Sequence, residues 1–275
     1  MFFHPELKFI FTAAAPLPER LSHEFEKRNI PVLEGWGLTE TSPCCTITDP
    51  TLKREAGIVG KPIAGVSLRV DRTNEIQVKG PNVMVGYYKN EEANKDIFTK
   101  DGWFRTGDVG EITPQGLKLI TRKDRIFKLS NGEKVVPTEL EALIQKKCHY
   151  VSYALVEGSG KEYPVALLFP NYGFLEHSDP NNPPVKGCLC PRSLEELSQC
   201  LHGCLNDANC GISQDFAKIK AAALIDDELS LDKQTLTPSM KVVPKRVLNV
   251  YKAHLESLYG EEKPFKDKVY IIKLD

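Results

Sequence analysis

No apolar run in this 275-residue chain approaches the roughly 18 residues that a bilayer-spanning helix needs. The stretch from Phe9 to Leu17 is interrupted by Thr12 and Pro16. An excess of either charge is missing too: 36 Lys+Arg stand against 37 Asp+Glu, a formal net charge of −1. That balance argues against a general nucleic-acid or membrane-surface binder, so no nucleic-acid partner is expected and membrane contact is at most peripheral. The opening residues, Met1-Phe-Phe-His-Pro-Glu, carry neither a basic segment nor a small-residue cleavage site, so no export signal is expected. Neither an internal repeat nor a low-complexity tract interrupts the chain. Core-forming residues are not scarce: 41% of the chain is hydrophobic and 27% charged, which excludes disorder as the main state. The length predicts one large or two ordinary domains.

Eight cysteines are present, and without an export signal they read as reduced thiols of a cytoplasmic protein. Five gather late in the chain, Cys188, Cys190, Cys200, Cys204 and Cys210, with His202 among them. Thiolates and imidazole suit zinc, but a Cys-x-Cys with no second tight pair is not the spacing of a structural zinc site. Cys200 and Cys204 lie one helical turn apart, as buried free cysteines do. No zinc is expected.

Three styles of sequence follow one another. Lys8–Phe11 and Ile30–Leu33 read as short strands around a helix from Pro18 to Arg28, on which Leu21 and Phe25 share a face. From Gly57 to Ile120, short strands alternate with Gly, Pro and Asn turns: Ser67–Val70, Glu75–Lys79, Glu111–Thr113 and Leu117–Thr121, the last two joined by a hairpin at Pro114-Gln-Gly116. After Arg122 come strands at Ile126–Leu129 and Lys134–Val136, then a helix from Pro137 with Thr138 and Glu141 at capping-box spacing. Strands are predicted at Tyr153–Val156 and Val165–Phe169, loop from Asn171 to Pro191, and helices at Leu194–Asn206 and Pro244–Tyr259. The last helix carries Val247, Leu248, Tyr251, Leu255 and Leu258 on one face.

Four motifs carry chemistry. In Gly35-Trp-Gly-Leu-Thr-Glu-Thr, two glycines let backbone approach a flat ligand on which the ring stacks, and Thr39 and Glu40 offer hard oxygens suited to phosphate and Mg²⁺. The same residues also suit a tight strand-to-helix turn. Gly102-Trp-Phe-Arg-Thr-Gly-Asp108 ends on a carboxylate that can accept from a ribose diol or close an Asx-turn. The run from Arg122 through Glu141 is a linker or a solvated charge run followed by a hairpin. Leu236-Thr-Pro-Ser-Met-Lys241 sets a lysine on a loop bracketed by Pro238 and Pro244; taken alone, such a lysine is a solubility residue.

In this order the four motifs resemble the adenylate-forming superfamily, most closely its fatty-acyl-CoA ligases. Thr12-Ala-Ala-Ala-Pro-Leu resembles that family's adenine loop, with Ala where Gly is usual, and Gly57-Ile-Val-Gly-Lys-Pro its Gly-x-Val-Gly-x-Pro segment. The resemblance implies an α/β fold with a β-rich subdomain (57–121) in the end of a large AMP-binding domain (1–122), followed by a small mobile α+β domain (123–275). It implies ATP or AMP, Mg²⁺, CoA, and a fatty acid or other carboxylate as ligands. By position it makes Ala15, Trp36, Gly37, Asp108 and Arg122 nucleotide contacts, Thr39 and Glu40 phosphate and Mg²⁺ contacts, and Lys241 the lysine of adenylation. Asp124 becomes the hinge, and Lys128 and Gly132 the loop of the CoA step. The family's Ser/Thr/Gly-rich phosphate loop is not found here, so the expectation is a C-terminal part of a longer enzyme that does not adenylate alone, with an exposed edge on the strand after Lys8. A fatty-acyl-AMP ligase, an aromatic-acid ligase and a non-catalytic nucleotide-binding module are the rival readings.

Overall fold

The computed structural model describes residues 4, 6–13, 17, 19–52, 55, 57–184, 187–238, 240–260 and 269–274. The chain divides into two compact units, Met1–Asp124 and Arg125–Asp275.

The first unit opens with β1 (Ile10–Ala13), α1 (Glu19–Glu26) and β2 (Val32–Trp36). β1 and β2 run parallel, from Ile10 opposite Val32 to Ala13 opposite Gly35, as a strand–helix–strand crossover allows. The short β3 (Thr46–Ile47) and β4 (Lys61–Pro62) extend this sheet with antiparallel pairs, leaving β1 at its edge with Phe11 exposed. A second sheet is an antiparallel meander of β5 (Ser67–Val70), β6 (Glu75–Lys79), β7 (Phe104–Thr113) and β8 (Gly116–Arg122), with the short helix α2 (Glu91–Asn94) between β6 and β7. The β7–β8 turn holds only Pro114 and Gln115, and the Thr113 hydroxyl accepts from the Gly116 amide at 3.2 Å. Trp36, Cys45, Val59, Val66, Ile76, Val78 and Leu117 form the core.

The second unit begins with the ribbon of β9 (Phe127–Lys128) and β10 (Lys134–Val135). It continues through α3 (Pro137–Lys147), β11 (Val151–Glu157), β12 (Val165–Pro170), α4 (Tyr172–Glu176), α5 (Leu194–Cys210), β13 (Ala221–Ile225), α6 (Pro244–Val250), α7 (Lys252–Ser257) and β14 (Val269–Lys273). The sheet order is β11-β12-β13-β14, with β12 and β13 parallel and the outer pairs antiparallel. Every residue of β12 is buried, because both faces are covered. Ala166 and Leu168 face a cluster with Leu140, Ile144, Leu197, Leu201 and Leu205, whereas Val165, Leu167 and Phe169 face Val247, Tyr251, Leu255 and Leu258.

α3 has Val136 at its N-cap with no side-chain cap and Pro137 at N1, so Thr138 and Glu141 form no capping box. Glu141 is instead drawn inward, taking the Arg125 guanidinium and the Val156 amide (2.9 Å). The stretch after Asn171 contains α4, capped where the Asn171 side chain accepts from the Phe174 amide. The last helix is broken at Tyr251 into α6 and α7, although its apolar stripe continues across the break. β13 and β14 are strands that the sequence reading passed over. All eight cysteines are free, with Cys200 and Cys204 Sγ atoms 4.0 Å apart and Cys148, Cys190 and Cys200 buried. Among the described residues no group of three or more His, Cys, Asp or Glu is arranged to hold a metal ion, and no helix is long and apolar enough to cross a membrane.

Candidate functional site

β2 ends by delivering Trp36 into the core of the first unit, and Gly37 turns the chain out of the sheet. A Cβ on Gly37 would stand 2.0 Å from the Pro43 carbonyl oxygen, so the turn itself demands glycine there. A short 3-10 turn, Thr39–Thr41, follows. It leaves Thr39 exposed and Glu40 half-buried.

The centre of the site is a carboxylate. Asp108 on β7 stands directly opposite Arg122 at the end of β8. The Arg122 Nη1 donates to Oδ1 at 2.9 Å, and the Trp36 indole Nε1 donates to Oδ2 at 2.8 Å. The Asp108 amide donates to the Thr106 hydroxyl at 3.0 Å, which in turn donates to the Ile76 carbonyl at 2.7 Å. Burial pushes the Asp108 carboxyl above the ordinary aspartate range, against the pull of the Arg122 charge and the Trp36 hydrogen bond. Its side chain reaches partners 14 and 72 residues away rather than the local backbone, so it is no Asx-turn.

A cleft of about 550 Å³ opens beside this carboxylate, walled in part by Leu38, Glu40, Tyr87, Thr106, Gly107 and Arg122. On the cleft wall the Tyr87 hydroxyl donates to Glu40 Oε1 at 2.7 Å. The backbone of Tyr87 is gripped by the Asn94 side chain, which accepts from its amide at 2.7 Å and donates to its carbonyl at 2.9 Å. Glu75 also lines the cleft; it is buried and takes the Lys123 ammonium at 2.8 Å and the Gly107 amide at 3.2 Å. Tyr87 and Glu75 escaped the sequence reading. Tyr87 sits in an aperiodic loop, and Glu75 opens a strand where alternation suggests a solvent-facing charge. Glu75 is nonetheless buried, as are Ile76, Gln77 and Val78 of the same strand.

The structure thus brings Trp36, Gly37, Thr39, Glu40, Asp108 and Arg122 into one unit, with Glu40 and Arg122 on the cleft wall and Trp36 and Asp108 buried and joined behind Arg122. Asp124 closes that unit, its Oδ1 4.0 Å from the Arg122 Nε. Lys128, Gly132 and Lys241 belong to the second unit. Lys128 is exposed on β9 opposite Lys134, Gly132 holds a φ of +87° in the turn that follows, and Lys241 is exposed on a loop before α6. Ala15 lies outside the described residues.

Comparison with known proteins finds two family models along the chain: AMP-binding enzyme over residues 3–88, and AMP-binding enzyme C-terminal domain over residues 124–263. The long-chain-fatty-acid–CoA ligase FadD15 of Mycobacterium bovis is 32% identical over 259 residues, covering 91% of this chain and 42% of that ligase. Among solved structures, the adenylation domain of a carboxylate reductase of Mycobacterium chelonae superposes with a TM-score of 0.70 at 23% identity, over 91% of this chain and 38% of that one. The O-succinylbenzoate coenzyme A synthetase of Bacillus subtilis, in complex with AMP, superposes with a TM-score of 0.65 at 25% identity, over 86% of this chain and 45% of that one. The chain spans less than half the length of the curated relatives it matches.

Proposed function

The chain belongs to the AMP-binding enzyme family, and from that premise we propose that it carries the nucleotide-facing and lysine-bearing parts of an ATP-dependent acyl-CoA ligase. The reaction joins a fatty acid to ATP, releasing pyrophosphate, and then moves the acyl group from the acyl-adenylate to the thiol of CoA with release of AMP. Likeness to ligases that act on long-chain fatty acids supports this substrate class.

The observation that carries the proposal is the buried Asp108, fixed from two sides by Trp36 and Arg122 beside a cleft that also holds Glu40. A carboxylate offers about four lone-pair positions, of which these two donors occupy two, so Asp108 keeps capacity for both hydroxyls of a ribose. Trp36 sets its orientation, and the Arg122 charge offsets part of the cost of burying it. Thr39 supplies a hydroxyl for phosphate. Glu40, with one oxygen held by Tyr87, presents the hard carboxylate that Mg²⁺ prefers. Bound Mg²⁺ would stabilise the charge that builds on the phosphoryl group. Lys241 brings the second cation to that charge, and a swing of its unit about Asp124 then clears the way for Lys128, Gly132 and CoA.

Because these residues span less than half of the relatives, the complete reaction is assigned to the complete product of the gene. The 275 residues alone bind AMP and do not exchange pyrophosphate into ATP. Calorimetric titration with AMP tests the first statement, and absence of heat would overturn the nucleotide site. Fatty-acid-dependent ATP–pyrophosphate exchange by the complete gene product tests the second. AMP binding without exchange there would favour a non-catalytic nucleotide-binding module.

A further inference from the structure

Between β13 and α6 the chain makes an excursion from Asp226 to Val243, and Lys241 stands near its tip. The two arms of the excursion are tied together. Leu236 bridges Val242, the Val243 amide donates to the Thr235 carbonyl at 2.8 Å, and the Thr237 amide donates to the Lys241 carbonyl at 2.8 Å. The Lys241 amide donates to the Thr237 hydroxyl at 3.1 Å, and Met240 takes a left-handed φ of +60° to turn the tip. The result is a narrow clip rather than an open loop.

The base of the clip is fixed by two polar residues. Thr235 is fully buried; its hydroxyl accepts from the Ser230 amide at 2.8 Å and donates to the Ser230 carbonyl at 3.1 Å. Asp227 lies just past the end of β13. Its Oδ2 accepts from the Tyr251 hydroxyl at 2.8 Å, and its Oδ1 takes the Lys233 ammonium. Tyr251 is itself buried at the α6–α7 break, edge-on to Phe169 with ring centroids 5.2 Å apart. Leu229 and Leu236 enter the same core cluster as Tyr251.

We propose that Asp227 and Thr235 are positioning residues that lock the base of this clip so that Lys241 is presented at a fixed point. The proposal rests on the reading of Lys241 as the lysine of adenylation. A lysine carries its charge on four rotatable bonds, and its usefulness in the first half-reaction depends on how little its backbone wanders. Misplacement by about 1 Å costs on the order of a hundredfold in rate where positioning dominates. Two polar anchors, the buried Thr235 and the half-buried Asp227, suit that requirement better than the burial of Leu229 and Leu236 alone, because hydrogen bonds fix direction and apolar contacts do not.

The test uses the complete gene product and reads the two half-reactions separately. Tyr251→Phe, Asp227→Asn and Thr235→Val are expected to lower fatty-acid-dependent ATP–pyrophosphate exchange by about tenfold or more. They are expected to leave acyl transfer to CoA from supplied acyl-adenylate unchanged, and Thr235→Ser to restore exchange. Hydrogen exchange at the Thr237 and Val243 amides should quicken in the three impaired variants while the amides of β13 stay protected. Lys241→Ala is the control. If it leaves exchange intact, the ligase reading of that lysine fails. If it abolishes exchange while Tyr251→Phe and Thr235→Val do not, the positioning inference is overturned. Equal loss of both half-reactions in those variants would mark general damage and would overturn it too. Should Asp227→Asn fail to fold, Tyr251→Phe, which deletes one hydroxyl, decides the matter.

Discussion

The Trp36 indole donates to Asp108 across 72 residues of sequence, at 2.8 Å and with both residues buried. The second donor, Arg122, has a side chain that is half exposed, so its ion pair contributes less than about 1 kcal/mol to stability. The buried half of the arrangement therefore dominates. Asp108→Ala strands the indole N–H and should cost about 1–3 kcal/mol. Arg122→Ala should cost less in stability yet weaken nucleotide binding. The chain has two tryptophans, so denaturation followed by fluorescence in a Trp103→Phe background reports on Trp36. An Asp108→Ala midpoint equal to that of the parent would refute the ranking.

Gly37 of the first unit and Gly132 of the second should respond differently to alanine. At Gly37 a methyl would meet the Pro43 carbonyl oxygen at 2.0 Å, and the partner is backbone that must itself move. Gly37→Ala should fall at or above the upper end of the about 1–3 kcal/mol typical of overpacking. Gly132 has open space around it and pays only for its φ of +87°, about 1–2 kcal/mol. Urea melts of both variants compare the costs; equal small losses would mean that the Gly37 turn relaxes freely.

Local chemistry made the meander legible. β5 and β6 begin and end where alternation and turn residues place them, and the β7–β8 hairpin is announced by Pro114-Gln-Gly116. β13 was illegible for a physical reason. Its Ala-Ala-Ala run has low strand propensity, and only its position between β12 and β14, buried beneath helices on both faces, makes small residues the right choice. Glu141 sits at the spacing of a helix cap, but the buried Arg125 nearby claims it. The break at Tyr251 is likewise tertiary, since the apolar stripe runs on while the hydroxyl is held by Asp227. In the site, motif order singles out Trp36, Glu40 and Asp108, yet nothing local joins Trp36 to Asp108 or Tyr87 to Glu40. Those links come from strand register and from a loop with no periodicity.

Tyr87 offers a direct probe of the carboxylate proposed for Mg²⁺. Its hydroxyl donates to Glu40, which raises the phenol above its ordinary range, while Asn94 holds its backbone independently. Tyr87→Phe should thus leave the loop in place and cost no more than about 0.5–1.5 kcal/mol in stability. Binding of ATP in the presence of Mg²⁺ should weaken, and binding of AMP without metal should not. Titrations of both nucleotides with and without Mg²⁺ separate the two effects, and equal weakening of all of them would show that Tyr87 shapes the cleft rather than the carboxylate.

The Asp227–Tyr251 contact predicts a pH dependence with a definite sign. Burial raises the Asp227 carboxyl, but the Lys233 ammonium and the Tyr251 hydroxyl outweigh it and hold the group below its ordinary 3.8. A carboxylate depressed in the folded state stabilises fully above its unfolded value and loses that contribution as pH falls through the lower folded value. Its side chain is 39% exposed, so solvent limits the contribution to about 1 kcal/mol. Tyr251→Phe removes one of the depressing partners and leaves the Lys233 ammonium and the Glu228 amide, so the variant should be less stable than the parent at neutral pH. The gap should stay constant down to the unfolded aspartate range and narrow below it, because protonated Asp227 no longer favours the hydroxyl as strongly in the parent. Denaturation midpoints of both proteins from neutral pH downward measure that gap. A difference that persists undiminished into the acid limb would mean that the hydroxyl stabilises the second unit through packing on Phe169, and not through the Asp227 charge.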